Sequence, residues 1–186
     1  MTQPKGRLLS AFQDRAGLTQ DRPIQDHGSG WSHLWDSGES ALWDRGEASP
    51  ALVDAVEQEQ ELLGPFTADG RRKKALVPGC GRGYDVVMLA LHGFDAYGLE
   101  ISGTAVQEAE LYASSEMKTP SSYHYGTKKT QYGSPGSVTF IQGDFFSTNW
   151  ENKGGINAAT TFDVVYDYTV RIDLCLPHGS EMLMIE

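Results

Sequence analysis

The sequence predicts an α/β fold built on a parallel, doubly wound sheet. Short apolar runs at 75–77, 96–99, 138–141 and 162–166 are separated in part by helix-like segments, as in strand–helix–strand units. The first run leads directly into a glycine-rich turn at 79–83, and the second ends in an acid, Glu100. An acid about twenty residues after such a turn commonly holds the ribose hydroxyls of a nucleoside cofactor.

The residues that precede the sheet are predicted to form an arm, a lid and a helix. Residues 1–30 are polar, and we interpret them as an irregular arm with a short helix near 8–15. Residues 31–46 contain three of the four tryptophans and are interpreted as a structured lid. Ser49-Pro50 is a typical helix start and Gly64-Pro65 a helix stop, which predicts an amphipathic helix over 51–63.

The predicted sheet begins after a polar loop over 66–74. We predict strands at 75–77 and 96–99, each followed by a helix, over 84–92 and 104–114 respectively. Residues 115–136 are rich in Ser, Thr, Tyr, Gly and Pro, which indicates an inserted loop. The third strand is predicted at 138–141 and the fourth at 162–166, with a loop over 147–161 between them.

The C-terminal segment is short for this kind of fold. Only 18 residues follow Tyr168, too few for a further strand crossover and the helix that would cover it. We therefore expect a sheet that is incomplete after the fourth strand. Its apolar fourth strand would form an open edge, through which copies of the chain could self-associate.

Composition narrows the class of protein. A chain of 186 residues that is 39% hydrophobic is expected to form one domain with a true core. Its net charge of −10 argues against a nucleic-acid or anionic-membrane partner. We expect a cytoplasmic protein, since no apolar leader or spanning segment is visible. Two cysteines and five scattered histidines predict neither a disulfide framework nor a metal site.

The glycine spacing bears on which nucleotide is bound. Gly79, Gly81 and Gly83 place the third glycine one residue earlier than in the dinucleotide-binding pattern. Asp144 follows the third strand, where it could accept a hydrogen bond from the exocyclic amine of adenine while Phe145 packs on the ring. The alternatives are a tight strand-to-helix turn for the glycines, and a turn aspartate with a core aromatic for Asp144 and Phe145.

Four motifs in order resemble one family. They are Trp31-Ser32-His33-Leu34-Trp35 with Leu42-Trp43-Asp44-Arg45-Gly46, the turn Val77–Asp85, the segment Gly143–Phe146, and the run Phe162–Thr169. Together they resemble the thiopurine, thiol and halide methyltransferases, which are class I enzymes with a Rossmann-like fold that depend on S-adenosyl-L-methionine. The resemblance covers 31–169, which we interpret as the cofactor-binding domain, and the tail 170–186 diverges from the family.

The resemblance implies a role for each matching position. Trp31, Trp35 and Trp43 would form an aromatic cover near the cofactor. The cofactor carries a sulfonium cation, and the faces of aromatic rings attract cations. Packing in the core remains an alternative for Trp31 and Trp35. Gly79 would approach the amino-acid part of the cofactor, and Glu100 would bind the ribose hydroxyls. The remaining implied roles are adenine binding by Asp144 and Phe145, and contact with the methionine moiety by Tyr168.

The expected activity is methyl transfer to a small thiol or a halide ion. Such a displacement needs alignment and exclusion of water more than a general base, so no catalytic side chain is predicted. The divergent tail leaves one alternative open, a truncated cofactor-binding remnant without catalysis. A nicotinamide-dependent oxidoreductase is the other alternative, against which the early third glycine and the Asp144-Phe145 pair argue.

Overall fold

A computed structural model describes residues 27–121, 125–128, 131–157, 159–167 and 181–183. The helices are α1 (His27–Asp36), α2 (Pro50–Gln58), α3 (Gln60–Leu63), α4 (Tyr84–Leu91) and α5 (Gly103–Glu116), with a 3-10 turn at Ser40–Leu42. The strands are β1 (Lys74–Pro78), β2 (Asp95–Glu100), β3 (Val138–Gln142), β4 (Val164–Tyr166) and β5 (Glu181–Leu183). The helix expected near 8–15 and Tyr168 lie outside the described residues.

The strands form one parallel sheet in the order β3-β2-β1-β4-β5. The chain moves outward from β1 through β2 to β3 and then returns to the other side of β1 as β4. The strand order therefore reverses between β1 and β4. In open sheets of this type, ligands bind at the carboxyl ends of the strands beside such a reversal. The parallel α/β architecture predicted from the sequence is confirmed.

One face of the sheet carries the main core. Residues 86–91 of α4 are all buried, and they pack with Ala75 and Val77 of β1 and with α2. A helix that is apolar all round is expected to be buried rather than amphipathic. Ser102 caps α5 by accepting a hydrogen bond from the backbone N–H of Ala105 at 3.2 Å. This core fixes the turn between β1 and α4, where the glycines lie.

The opposite face is covered by the segment that connects β3 and β4. Leu76, Leu99, Ile141 and Val165 alternate with the first set along their strands and point to this side. Trp150 and Ile156 cover them, joined by the half-buried Phe145, Tyr97 and Phe162. Both faces of the central strands are thus buried, which accounts for their continuous apolar runs.

The structure corrects the expectation for the fourth strand. We predicted β4 at an open edge, but β5 pairs with it in parallel, from Val164 opposite Glu181 to Tyr166 opposite Leu183. The 14 residues between these strands are enough for a parallel crossover. Our prediction of an open edge was wrong because it assumed that any further strand would be full-length and covered by a helix, whereas β5 has three residues. Self-association through an exposed β4 therefore loses its structural basis.

Two smaller differences concern the helices. The helix predicted over 51–63 is divided at Glu59, whose backbone φ and ψ of −95° and 53° are not helical. The aromatic segment begins four residues earlier than its predicted boundary, since α1 starts at His27. None of the helices in the described ranges has the length and apolar character needed to cross a bilayer.

Candidate functional site

The predicted ligand-binding residues meet at the carboxyl edge of the sheet. Gly79 directly follows β1, Glu100 is the last residue of β2, and Asp144 lies two residues beyond β3. The backbone N–H of Gly143 donates to the carbonyl oxygen of Glu100 at 2.9 Å, which fixes the segment with Asp144 beside the end of β2. The structure thus brings together the three elements that the motifs predicted.

The turn between β1 and α4 requires glycine. Gly79, Gly81 and Gly83 have φ angles of +60°, +52° and +78°, in the left-handed region that L side chains rarely adopt. A Cβ atom on Gly83 would lie 2.6 Å from the ring of Phe140, and one on Gly81 would lie 3.3 Å from the ring of Trp35. The turn is therefore built for close approach, with its backbone open to a ligand beside Gly79, which is exposed.

Glu100 holds this turn in place. Its Oε2 accepts a hydrogen bond from the backbone N–H of Gly81 at 2.9 Å, and its Oε1 accepts one from Ser102 N–H at 3.0 Å. The side chain is buried, and burial raises its pKa despite these two donors. A carboxylate has about four lone-pair sites, so both oxygens retain capacity for further donors such as ribose hydroxyls.

Three tryptophans form a cluster above the glycine turn. Trp43 lies between Trp31 and Trp35, with ring-centroid distances of 6.0 and 5.6 Å and edge-to-face geometry in both pairs. Trp35 is only 5% exposed, so it also belongs to the core, whereas Trp31 and Trp43 are half-buried. The indole Nε1 of Trp43 is buried and has no acceptor within the described part of the chain.

Arg82 fastens this aromatic cluster to the glycine turn. Its guanidinium forms ion pairs with Asp44 at 2.7 Å and with Glu108 of α5 at 2.6 Å, and donates to Ser40 Oγ at 3.1 Å. It also lies 5.8 Å from the ring of Trp35. We call these contacts the Arg82 clasp. No local pattern indicates the Arg82 clasp, because its members are far apart along the chain.

A pocket of about 150 Å³ opens between the cluster and the turn. Trp35, Trp43, Gly79, Gly81 and Asp85 are among its lining residues. Its volume is below the roughly 300–1,000 Å³ of typical ligand sites, so it has room for only part of a nucleoside-sized ligand. Asp85, which the sequence motifs did not single out as a site residue, also lines this pocket. Its signal was available, because it lies two residues after the last glycine of the turn.

Asp144 and Phe145 are held by local contacts. Asp144 Oδ1 accepts a hydrogen bond from the backbone N–H of Phe146 at 2.9 Å, which is an aspartate turn. Phe145 stacks on Trp150, with ring centroids 6.2 Å apart and planes 16° from parallel. The structure therefore shows the turn and core contacts that we considered as the alternative, and these contacts leave the adenine role as a proposal.

Two other candidate groups in the described part of the chain, Cys80 and His92, are held by burial and local contacts. Burial raises the pKa of the Cys80 thiol well above its usual value, which keeps it protonated and favours its interpretation as a packing residue. His92 is buried in the core and its Nδ1 lies 2.9 Å from the carbonyl oxygen of Met88. No group of three or more potential metal ligands occurs among the residues described.

Comparison with known proteins gives a consistent result. The family model for thiopurine S-methyltransferase matches residues 27–175. Thiocyanate methyltransferase 1 of Brassica oleracea is 33% identical over 142 residues, which cover 76% of this chain and 47% of that protein. A probable thiol methyltransferase 2 of Arabidopsis thaliana is 31% identical over 160 residues, covering 86% and 56% respectively. The chain thus spans about half the length of the curated relatives it matches.

A solved structure is similar to the fold as well. It comes from work on the conversion of a disulfide bond into a thioacetal group during echinomycin biosynthesis. Its sequence is 26% identical to this chain, and the two folds superpose with a TM-score of 0.50. The match covers 77% of this chain and 47% of that one.

Proposed function

The chain belongs to the thiopurine S-methyltransferase family, and on that premise we propose that it transfers a methyl group from S-adenosyl-L-methionine to a small thiol or halide acceptor. The observation that carries the proposal is the glycine turn closed by buried Glu100 at the strand-order reversal. Relatives named as thiocyanate and thiol methyltransferases support the choice of a soft, sulfur-containing or halide-like acceptor.

The residues of the site fit this cofactor. A buried carboxylate, Glu100, suits two ribose hydroxyls, and the aromatic faces of Trp31 and Trp43 suit a sulfonium cation. The buried Nε1 of Trp43 is a donor for which a ligand carboxylate would supply the acceptor. We further propose that Gly79 approaches the amino-acid moiety through its backbone, and that Asp144 and Phe145 contact adenine. Tyr168, outside the described residues, would contact the methionine moiety.

The chemistry needs little from the side chains beyond placement. When bound, the cofactor would supply a methyl group on a sulfonium sulfur; a thiolate or halide would bond to that methyl carbon as its bond to the sulfur breaks, giving the methylated acceptor and a neutral thioether. The tryptophan cluster and the Arg82 clasp would cover the reacting centre and exclude water from it. Glu100 and the glycine turn would fix the position of the nucleoside, so that the acceptor meets the methyl group in line.

Calorimetric titration with S-adenosyl-L-homocysteine tests this function. We expect binding by the wild type and no binding of NADH. Glu100→Ala is expected to weaken the affinity by about tenfold or more, because a charge-assisted hydrogen bond contributes roughly 1.5–3 kcal/mol. Glu110→Ala, which removes an exposed acid of α5, is the matched control and should leave the affinity unchanged.

Assays with iodide, thiocyanate and a small thiol then identify the acceptor class. Methyl transfer to any of these by the wild type would support the enzyme, and cofactor binding without transfer to any of them would favour the non-catalytic alternative. Binding of NADH without any response to S-adenosyl-L-homocysteine would contradict the proposed function.

A further inference from the structure

Asp85 is an acid placed in the pocket at the start of α4. It lies two residues beyond Gly83, and it lines the pocket together with Gly79 and Trp43. Its Oδ1 accepts a hydrogen bond from the backbone N–H of Ser49 at 2.7 Å. No described residue donates a hydrogen bond to its Oδ2. One carboxylate oxygen is thus used by the fold, and the other is available to a ligand.

The surroundings of Asp85 disfavour its negative charge. Burial raises its pKa, and this effect exceeds the opposing effects of the Ser49 N–H donor and the positive charge of Arg45. A carboxylate in such a place gains from a nearby cation more than an exposed one does, because water screens it less. The pocket therefore favours a ligand that brings a positive charge to this carboxylate.

The other two acids beside the turn, Asp44 and Glu100, already accept at least one hydrogen bond at each carboxylate oxygen. Asp44 accepts hydrogen bonds from Tyr84 and from the backbone of Gly46, and its Oδ2 pairs with Arg82. Glu100 is bonded through both oxygens to backbone N–H groups. Arg82, the cation of the Arg82 clasp, forms its ion pairs with Asp44 and Glu108 rather than with Asp85. Of these three acids, Asp85 is the one with a carboxylate oxygen that accepts no hydrogen bond from the described part of the chain.

Resting on the methyl-transfer function above, we propose that Asp85 binds the ammonium group of the amino-acid moiety of the cofactor. S-adenosyl-L-methionine and S-adenosyl-L-homocysteine both carry this group, whereas 5′-methylthioadenosine shares the nucleoside and the sulfur but lacks the amino acid. Asp85 would thus make the pocket select nucleosides that carry an amino acid. It would also couple cofactor binding to α2, since the same carboxylate holds Ser49 at the start of that helix.

The test compares these two ligands on three proteins by calorimetric titration. Asp85→Asn keeps an oxygen acceptor for Ser49 and removes the charge, so it should bind S-adenosyl-L-homocysteine about tenfold more weakly and 5′-methylthioadenosine as the wild type does. Asp95→Asn is the control. It neutralises a half-buried aspartate that accepts from the backbone N–H of Ser137 at 3.0 Å, at the opposite end of β2. Both affinities should be unchanged in it.

The outcomes separate this inference from the function on which it rests. Equal weakening of both ligands by Asp85→Asn, or of neither, would overturn the ammonium role while leaving cofactor binding intact. Failure of the wild type to bind either ligand would count against the proposed function itself.

If Asp85→Asn does not fold, two further measurements decide the point. Asp85→Glu retains the charge, so it should preserve the preference for S-adenosyl-L-homocysteine over 5′-methylthioadenosine. The wild type should bind a deaminated analogue of S-adenosyl-L-homocysteine about tenfold more weakly than the parent compound. Equal affinity for the analogue and the parent would contradict the proposal.

Discussion

At the scale of single residues, the site depends on two carboxylates, one buried and one half-buried, that serve both the fold and the proposed ligand. Glu100 ties the glycine turn to the start of α5 through two backbone N–H groups. Asp85 ties the start of α2 to the start of α4. Burial raises the pKa of both acids, so each carries its charge at a cost to the ligand-free fold. A ligand that donates to these oxygens would offset that cost.

This cost predicts a pH dependence of stability that Glu100→Ala should remove. The folded pKa of Glu100 lies above its ordinary value of 4.5, so the folded state binds more protons than the unfolded state between the two values. The free energy of unfolding of the wild type, relative to Glu100→Ala, should therefore fall as pH rises through this window. Urea unfolding of both proteins at about pH 5 and about pH 7.5 measures the difference.

Asp163 supplies the opposite sign as a control. Its hydrogen bonds and ion pair with Arg71 lower its pKa below the ordinary 3.8, so its stabilising contribution is lost only as pH falls below that value. The difference between wild type and Asp163→Ala should be constant over the same pH range. A wild type that gains stability with rising pH relative to Glu100→Ala would refute this account of Glu100.

At the scale of the elements, the Arg82 clasp joins three parts of the chain that touch the site. It connects the segment around the 3-10 turn, the glycine turn and α5 through Asp44, Ser40 and Glu108. Since α1 also packs on α5, the tryptophans that lie in and after α1 are held over the pocket from two sides. Movement of this cover would expose the bound cofactor, so the clasp should affect how long a ligand stays.

We expect Arg82→Met to weaken binding of S-adenosyl-L-homocysteine about three- to tenfold, mainly through faster dissociation. Partly exposed ion pairs contribute about 0.2–1 kcal/mol each, and the variant loses two of them while keeping the apolar stem. Stopped-flow measurement of tryptophan fluorescence gives the association and dissociation rate constants of S-adenosyl-L-homocysteine.

Arg71→Met is the matched control for the clasp. It breaks the 2.7 Å ion pair between Arg71 and Asp163. Asp163 directly precedes β4, at the amino end of the strand and away from the pocket. Its dissociation rate should equal that of the wild type. An unchanged dissociation rate in Arg82→Met as well would show that the clasp does not hold the cover.

At the scale of the whole molecule, β5 determines how the sheet ends. It pairs with β4, whose three residues are all buried, so its removal would leave an apolar strand with unpaired backbone groups. We expect a chain that lacks residues 179–186 to melt several degrees lower, since about 1 kcal/mol corresponds to roughly 2–4 °C for a domain of this size. It should also self-associate, which light scattering detects.

A chain that lacks only residues 184–186 retains β5 and is the control for this prediction. It should melt with the full chain and stay in the same oligomeric state. If the longer deletion behaves like the shorter one, then β5 does not protect the edge of the sheet.

The parallel α/β fold, and the edge of the sheet at which Gly79, Glu100 and Asp144 lie, could be predicted from the amino-acid sequence. These could be predicted because they depend on local signals, namely apolar runs, glycines with positive φ, and the meeting of parallel strands at one edge. The family, too, could be recognised from short motifs in a fixed order.

The contacts that join distant segments of the chain could not be predicted and are seen in the folded molecule alone. Asp85 meets Ser49 across 36 residues, and Arg82 meets Asp44 across the same interface, with no periodicity that would reveal either pairing. The division of the predicted helix at Glu59 and the placement of β5 beside β4 likewise have no local signal. These features depend on which surfaces meet once the core has formed, because hydrogen bonds and ion pairs of this kind are specified by position in space rather than by spacing along the chain.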